Sequence, residues 1–341
     1  MTTSLPNRRP RGRLVEEKDG LYFLSPSKDL RFIHTGATVL DCVLGGGWPL
    51  GRVSNVIGDK STGKTLIAIE AMENCIRKYP KSTIRYCETE AAFDESYAAA
   101  LGLEIGRIDR PDDTLLTVEA VFEDMFTSIS KMKHGGMYII DSLDALSDAA
   151  ELDGEFNKAT YGTGKAKGMS KLFRRLIKLI GTKECHVMVI SQTRDNIGVS
   201  FGRKYSRSGG RALDFYASQV AYLAQKGEIV QTRKGIKRSV GVQIKMKCTK
   251  NKVGLPFRTC EFPILFGYGI EDISASVDWL IENKRQKHIG IGVDELKTLR
   301  DSAIRVQLDD ANDIRELLSG KVQEGWSAIE KSFLPNRRKY E

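Results

Sequence analysis

The stretch Gly58-Asp-Lys-Ser-Thr-Gly-Lys-Thr65 decides the fold of this chain of 341 residues. It fits the pattern G-x-x-x-x-G-K-[ST] of a phosphate-binding loop. The alternating run Val53 to Ile57 before it predicts a strand, and the periodic run Leu66 to Tyr79 after it predicts a helix that Pro80 ends. In this context glycines let backbone N–H groups wrap phosphates at the N-terminus of a helix. The stretch therefore predicts an α/β core that binds phosphates.

The chemistry assigns a role to several side chains around this loop. Lys64 is expected to reach the outer phosphates, and Thr65 is expected to ligate Mg²⁺. The buried run Met137 to Asp141 ends in a carboxylate, which is where a second Mg²⁺ ligand would lie beside the phosphates. A glycine-rich turn that contains a lysine by chance would not explain the flanking strand and helix. The loop residues expected to contact the nucleotide are Gly58, Asp59, Lys60, Ser61, Thr62, Gly63, Lys64 and Thr65.

A further carboxylate follows another predicted strand. Thr83 to Cys87 has the pattern of a strand, and Glu88-Thr89-Glu90 follows it directly. A carboxylate just beyond a strand of the same sheet could act as general base on an attacking water. The spacing alone is equally compatible with a solvated loop acid.

The basic charge of the chain is clustered rather than scattered. The sequence has 53 Lys and Arg against 44 Asp and Glu, a net charge of +9. Between Lys226 and Arg258 the only acidic residue is Glu228, and the segment Gln192 to Arg211 is also strongly basic. A clustered basic stripe is typical of a protein that binds a polyanion, although a solvated face remains the alternative.

Composition also excludes several classes of protein. No apolar run approaches the ~20 residues of a membrane-spanning helix, and the first thirty residues lack the apolar stretch of a signal peptide. The 6 cysteines form no C-x-x-C pair, so a disulfide framework or a structural zinc is not expected. We therefore expect a cytoplasmic protein without membrane contact, in a bacterium or in the host of a phage.

The chain divides into three predicted parts. Residues 1–34 form a short N-terminal arm, rich in Pro, Arg and Ser. Residues 35–273 alternate strand-like runs with helical periodicity, as in a core with a mostly parallel sheet. Residues 274–341 are mostly amphipathic helix and form a small helical appendage with a basic tail.

Motifs in the central part appear in the order and spacing of one known family. They are Thr35 to Asp41, Gly58 to Thr65, Glu88 to Tyr97, Ile140 to Ser142, Ile190 to Arg194, Gly209 to Ser218 and Lys250 to Ile270. In these motifs the chain resembles the RecA family of DNA recombinases, and it resembles the bacterial and bacteriophage type more than ring helicases that share the core. The resemblance implies a RecA-like P-loop ATPase core, with a mostly parallel twisted sheet flanked by helices.

The resemblance also implies roles for single residues of this sequence. Glu90 would be the catalytic base, and Asp94 and Tyr97 would contact adenine. Gln192 would sense the γ-phosphate and open a DNA-binding loop. Lys250 and Lys252 would reach across a subunit interface to the ATP of a neighbour. Together with Lys64, these residues make up the predicted catalytic set: Lys64, Glu90, Gln192, Lys250 and Lys252.

Two polar stretches are the predicted DNA-binding loops, near residues 153–168 and 193–210. Both are rich in Gly and basic residues, and the second interleaves Phe201 and Tyr205, as suits a single strand. In the first loop Phe156 and Tyr161 are candidates to wedge between bases, and a mobile surface loop is the alternative. The residues expected to contact DNA are Lys165, Lys167, Arg174, Arg194, Arg203, Lys204, Arg207, Gly209, Gly210 and Arg211.

The sequence thus predicts an ATP- and Mg²⁺-dependent homologous recombinase that forms a helical filament on single-stranded DNA and exchanges strands with double-stranded DNA. Mediator and single-strand-binding proteins are expected partners. The alternatives are a ring-forming helicase or translocase with the same core, and a coating protein in which ATP only gates DNA binding. The chain departs from the family in its arm, where only Tyr22 or Phe23 could anchor a neighbour, and in its basic tail.

Overall fold

A computed structural model describes residues 30–90, 93–112, 115–147, 163–195, 205–206, 210–286, 290–308 and 310–335. Its main sheet has nine strands. The strands of the described residues are β1 (Phe32–Ile33), β2 (Trp48–Pro49), β3 (Val53–Gly58), β4 (Thr83–Glu88), β5 (Ile108–Asp109), β6 (Gly136–Asp141), β7 (Cys185–Gln192), β8 (Arg194–Asp195), β9 (Tyr205–Ser206), β10 (Gln219–Arg233), β11 (Ile236–Asn251), β12 (Thr259–Leu265) and β13 (Gly269–Ile270).

Helices alternate with the strands in the first part of the chain and dominate its last part. Two further 3₁₀ turns cover Ile105–Arg107 and Leu143–Ala145. The α-helices of the described residues are α1 (Thr38–Leu44), α2 (Lys64–Lys78), α3 (Glu95–Ala100), α4 (Val118–Lys131), α5 (Thr163–Thr182), α6 (Gly210–Tyr216), α7 (Asp272–Glu282), α8 (Val293–Ile304) and α9 (Ala311–Ser332).

The main sheet is parallel on one side and antiparallel on the other. Its strand order is β13-β12-β11-β10-β3-β7-β6-β4-β5. All neighbours from β10 to β5 pair in parallel, whereas β10 to β13 pair antiparallel. The predicted α/β class with a mostly parallel sheet flanked by helices is confirmed.

Alternation along the central strands directs apolar side chains to both faces of this sheet. Met137 and Ile139 of β6 join the apolar cluster that includes α1 and α2, and Tyr138 and Ile140 join the cluster that includes α4 and α5. Strands buried on both faces are typical of parallel sheets covered by helices. The first cluster continues into the C-terminal helices through Leu296 of α8 and through α9.

Ion pairs and hydrogen bonds tie the C-terminal helices to the core. The Arg258 guanidinium before β12 donates from Nε to Glu330 of α9 at 2.6 Å. The buried Asp272 carboxylate at the start of α7 accepts from Thr38 N at 2.6 Å. Helices α7 and α9 are therefore packed on the same body that holds the phosphate loop.

Part of the predicted interface with DNA and with neighbouring subunits lies outside the described residues. These positions are Tyr22, Phe23, Phe156, Tyr161, Phe201, Arg203, Lys204, Arg207 and Gly209. Lys165, Lys167 and Arg174 belong to α5, Arg194 belongs to β8, and Gly210 and Arg211 begin α6.

Candidate functional site

The phosphate loop connects β3 to α2, as the sequence predicts. Gly63 has φ of 81°, a left-handed conformation that side chains rarely adopt. A Cβ at Gly58 would lie 2.4 Å from the Thr62 hydroxyl oxygen, so a larger residue would force the loop open. These two glycines set the path of the backbone into the first turn of α2, whose N–H groups are in the position that binds anions at helix N-termini.

Lys64 is buried at the start of α2 and lies among carboxylates. Its ammonium donates to the Asp59 carbonyl oxygen at 2.6 Å, which holds the side chain along the loop. Burial lowers the pKa of Lys64, and the nearby charges of Asp141, Asp59 and Glu90 oppose this shift. The ammonium is therefore a desolvated charge, which attracts phosphate oxygens more strongly than an exposed lysine does.

Asp141 ends β6 directly beside Thr65. The Thr65 hydroxyl donates to Asp141 Oδ2 at 2.7 Å, and the Tyr86 hydroxyl donates to the same oxygen at 2.9 Å. Burial raises the pKa of Asp141, and the two hydroxyl donors lower it again. A hydroxyl and a carboxylate oxygen side by side fit Mg²⁺, which prefers oxygen ligands and takes only one or two from the protein.

Glu90 is exposed at the same edge of the sheet and is held by two donors. Its Oε1 accepts from the Ser142 hydroxyl and from the Gln192 side-chain amide, the latter at 2.9 Å. The Gln192 backbone N–H donates to Asp144 Oδ2 at 2.6 Å. The predicted base and the predicted γ-phosphate sensor are thus joined by a direct hydrogen bond.

Strand register explains why these groups meet. Gly58 at the end of β3 lies beside Gln192 at the end of β7, and Glu88 at the end of β4 lies beside Asp141. The carboxyl ends of parallel strands form one edge, and ligands bind there in open α/β sheets. The structure therefore brings Lys64, Thr65, Glu90, Asp141 and Gln192 to one place.

The sequence patterns do not predict three residues of this site. They are Tyr86, Ser142 and Asp144, which orient Asp141, Glu90 and Gln192 respectively. Ser142 and Asp144 follow a strand that ends in a carboxylate, so their position next to Asp141 is the feature of the sequence that could identify them as site residues. Nothing in the spacing of Tyr86 indicates its contact with a residue so far along the chain.

Asp94 and Tyr97 lie at the start of α3. The Asp94 carboxylate caps this helix by accepting the Tyr97 N–H at 3.0 Å. The Tyr97 ring is 42 % exposed and lies near Glu70 of α2, and burial raises the pKa of its hydroxyl. An exposed ring on a capped helix is available to an aromatic ligand, and the predicted adenine contact stays a prediction.

Lys250 and Lys252 lie together at the C-terminal end of α6. Both ammonium groups donate to the Phe215 carbonyl, Lys250 at 3.1 Å and Lys252 at 3.2 Å. Burial, and then the neighbouring charge of Lys252, lowers the pKa of Lys250 to about 8. The Phe215 ring beside them is 70 % exposed. The Lys252 ammonium lies 6.0 Å from the centre of this ring. The predicted reach of the two lysines to a neighbouring subunit stays a prediction. Among the predicted DNA contacts, Arg174 of α5 is exposed.

Comparison with known proteins assigns the chain to a family. The model for the RecA N-terminal domain matches residues 20–271. The chain belongs to the RecA family. Over 302 residues it is 34% identical to the protein named Protein RecA of Nostoc punctiforme, covering 86% of this chain and 81% of that protein. It is 36% identical over 248 residues to Protein RecA of a Synechococcus species, covering 72% of this chain and 62% of that protein.

Membership of the RecA family confirms the activity predicted from the sequence. The chain is an ATP-dependent recombinase and a DNA-dependent ATPase, and the helicase and coating-protein alternatives are not favoured. Within the described ranges no helix is both long and apolar enough to span a membrane. The same ranges contain no cluster of three or more His, Cys, Asp or Glu side chains that could hold a metal ion.

Proposed function

We propose that this chain assembles on single-stranded DNA as an ATP-dependent helical filament and pairs the bound strand with a homologous duplex. The observation that carries the proposal is the hydrogen bond from the Gln192 amide to Glu90 at 2.9 Å. The chain runs from Gln192 directly into the stretch 193–210, which we propose as a DNA-binding loop. A change at the outer phosphate would move Gln192 and with it the start of this loop.

The nucleotide is held and hydrolysed by residues at the carboxyl edge of the sheet. The loop 58–65 would wrap the phosphates, Lys64 would neutralise the outer ones, and Asp94 and Tyr97 would contact adenine. Thr65 and Asp141 would hold Mg²⁺, whose charge offsets that of the phosphate oxygens. Glu90, oriented by its two donors, would take the proton of the attacking water.

A neighbouring subunit would complete this site. Lys250 and Lys252 lie on a surface with an exposed aromatic ring, and their charges would stabilise the negative charge that develops on the γ-phosphate of the next subunit. Hydrolysis would then depend on assembly, and single-stranded DNA would stimulate it by aligning the subunits.

DNA would be bound by the two loops near 153–168 and 193–210 and by basic residues beside them. Their cations would neutralise phosphates and release counterions, so binding should weaken steeply with salt. Mediator and single-strand-binding proteins as partners, and a cytoplasmic location, belong to the same proposal. The proposed division of the chain is an arm over residues 1–34, an ATPase core over 35–273 and a C-terminal part over 274–341.

Strand exchange tests the proposal most simply. The purified full chain is incubated with a circular single strand, ATP and Mg²⁺, and a homologous linear duplex is then added. We expect a joint molecule and a displaced strand only with ATP and homology, and extended helical filaments in electron micrographs. Closed rings on the DNA would favour a helicase, and coating without exchange would favour a DNA-coating protein; either result would overturn the proposal.

A further inference from the structure

Strand β7 extends beyond its neighbour β6 at the edge of the sheet that holds the nucleotide site. The two strands pair from Gly136 and Cys185 to Ile140 and Val189, whereas β7 continues to Gln192 and stays paired with β3 on its other side. Among the described strands, Gln192 therefore has a partner on one side only. A main-chain N–H on the open side needs another acceptor, because an unpaired strand end frays.

The Asp144 carboxylate supplies this acceptor. Its Oδ2 accepts the Gln192 N–H at 2.6 Å. The next N–H along the chain, that of Thr193, points to the other side and donates to the Gly58 carbonyl of β3 at 3.4 Å. Successive N–H groups that alternate between two sides are typical of a strand inside a sheet. The carboxylate thus takes the place of a carbonyl of β6 and keeps β7 extended through its last residue.

A well-packed turn carries this carboxylate. Asp144 is the middle residue of the 3₁₀ turn Leu143–Ala145. Leu143 and Leu146 are buried in the same apolar cluster as Val189 of β7. The turn is therefore packed against the strand that its carboxylate holds, and this packing fixes the position of Asp144 relative to β7.

The same turn and the residue before it hold both partners of the bond between Glu90 and Gln192. The Ser142 hydroxyl and the Gln192 side-chain amide donate to Glu90 Oε1, and the Gln192 main chain donates to Asp144. Gln192 is thus held at two points, by Glu90 at its amide and by Asp144 at its main chain. If the amide turned from Glu90 toward a phosphate, the bond to Asp144 would still hold the main chain.

We propose that Asp144 is a positioning residue that fixes the main chain of Gln192, so that a rotation of the Gln192 side chain is passed on to the stretch 193–210. Without this bond the last residue of β7 would fray and absorb the rotation. The nucleotide would then have less influence on DNA binding. This inference rests on the proposed function, because it concerns how the proposed DNA-binding loop responds to the nucleotide.

The test separates the loss of the acceptor from the loss of the charge. Asp144→Ala removes the acceptor, whereas Asp144→Asn keeps a side-chain oxygen that can accept the same N–H. The matched control is Glu271→Ala, because Glu271 Oε2 also accepts a main-chain N–H at 2.6 Å, that of Ser274 in α7. For each full chain, the affinity for a labelled single strand is measured with and without an ATP analogue that is not hydrolysed, and urea denaturation gives the stability.

The ratio of the two affinities measures the coupling between nucleotide and DNA. We expect the analogue to raise the affinity of the wild type, and Asp144→Ala to reduce this ratio about 10-fold, as for the loss of a hydrogen bond to a charged acceptor. The affinity for the analogue, measured with and without the single strand, should change by the same factor, because coupling is reciprocal. Asp144→Asn and Glu271→Ala should keep the ratio within about 2-fold of the wild type.

Three results would overturn the inference. They are a wild-type ratio in Asp144→Ala, an equal loss in Asp144→Asn, which would assign the effect to the charge, and an equal loss in Glu271→Ala, which would assign it to stability. A wild-type chain whose affinity for the single strand does not respond to the analogue would instead count against the proposed function, so the two failures are distinguishable.

Discussion

The parallel and antiparallel sides of the sheet place their charges in different surroundings. At the carboxyl edge of the parallel strands, Lys64 and Asp141 are buried. Burial lowers the pKa of Lys64 and raises the pKa of Asp141, so it favours the neutral form of each group. On the hairpin of β10 and β11, Lys234 and Lys237 lie in solvent. Charged groups interact far more strongly when desolvated, so the first region suits chemistry on one bound anion. In the second region, solvent and salt screen the charges.

The largest effect is expected at Glu90. Glu90→Gln keeps an oxygen that can accept from Ser142 and Gln192 but cannot take a proton. We expect kcat for ATP hydrolysis to fall about 10²-fold or more, with nucleotide and DNA binding retained. Glu95→Gln is the control, because Glu95 is also a carboxylate near β4 but pairs with the exposed Arg110. A normal rate in the Glu90 variant would remove this residue from the chemistry.

An ion pair on the parallel side that is mostly shielded from solvent should contribute strongly to stability. Asp124 of α4 accepts from Arg85 Nε at 3.1 Å and from the Tyr138 hydroxyl at 2.7 Å, and the Arg85 side chain is 12% exposed. Asp124→Ala leaves both donors without this partner, so we expect the free energy of unfolding to fall by about 3 kcal/mol. Urea denaturation measures it, and a loss below about 1 kcal/mol would mean that the pair is effectively solvated.

Buried His186 of β7 should make stability depend on pH. Its Nδ1 lies 2.8 Å from the Pro49 carbonyl, and burial lowers its pKa to about 4 from 6.5. Because the folded-state pKa is depressed, its stabilising contribution is complete above pH 6.5 and is lost as pH falls toward 4. Between pH 8 and pH 5 the loss should be about 2 kcal/mol.

The control for this pH effect is His186→Asn, whose amide can still donate toward Pro49. Burial raises the pKa of Asp41 to about 6, so this carboxyl has the opposite effect: its contribution is present at low pH and is lost as pH rises toward 6. Asp41 is common to both proteins and cancels in their difference. Parallel stability curves for the wild type and the variant would show that His186 is not the titrating group.

The smallest effect is expected on the antiparallel side. Lys245 of β11 and Glu261 of β12 form an ion pair at 3.1 Å, with side chains 43% and 35% exposed. Solvent and salt screen such a pair, so Glu261→Gln should change the free energy of unfolding by less than about 1 kcal/mol. A loss as large as that of Asp124→Ala, measured in the same urea series, would contradict the contrast between the two sides.

The two regions also differ in how far the sequence predicts them. The loop 58–65 and Asp141 carry a spacing that chemistry dictates, and the structure places them together as expected. Strand β11 extends over Ile236–Asn251, and no alternating pattern in the sequence marks where it begins. Its first residues, Ile236 to Ser239, show no alternation of apolar and polar side chains, because they are exposed and no core selects an apolar residue at every second position.

Contacts between residues that are distant in the sequence also cannot be predicted from its patterns. Tyr86 and Asp144 orient the site through single hydrogen bonds to Asp141 and Gln192. Such bonds depend on the register of neighbouring strands and leave no periodic pattern in the chain. Only the family resemblance assigns Glu90 as the catalytic base, because many acidic residues in loops have the same spacing from a strand.

In the proposed filament, one subunit would supply Lys250 and Lys252 to the nucleotide site of the next. The direct measurement mixes Glu90→Gln protein with Lys250→Ala/Lys252→Ala protein in equal amounts on single-stranded DNA. Half of the pockets keep Glu90, and half of their neighbours keep both lysines, so about a quarter of the interfaces in a head-to-tail filament should be intact. We predict recovery of DNA-stimulated ATPase to about that fraction of the wild-type rate.

The matched control mixes Glu90→Gln with Lys64→Ala, which both alter the pocket side of the interface, so no intact site can form and no activity should return. Electron micrographs of differently labelled subunits establish that the proteins assemble together. Recovery in the first mixture and not in the second is the result predicted for a shared site. Absence of recovery in both, despite joint filaments, would contradict it and leave the two lysines to act within their own subunit or outside the chemistry.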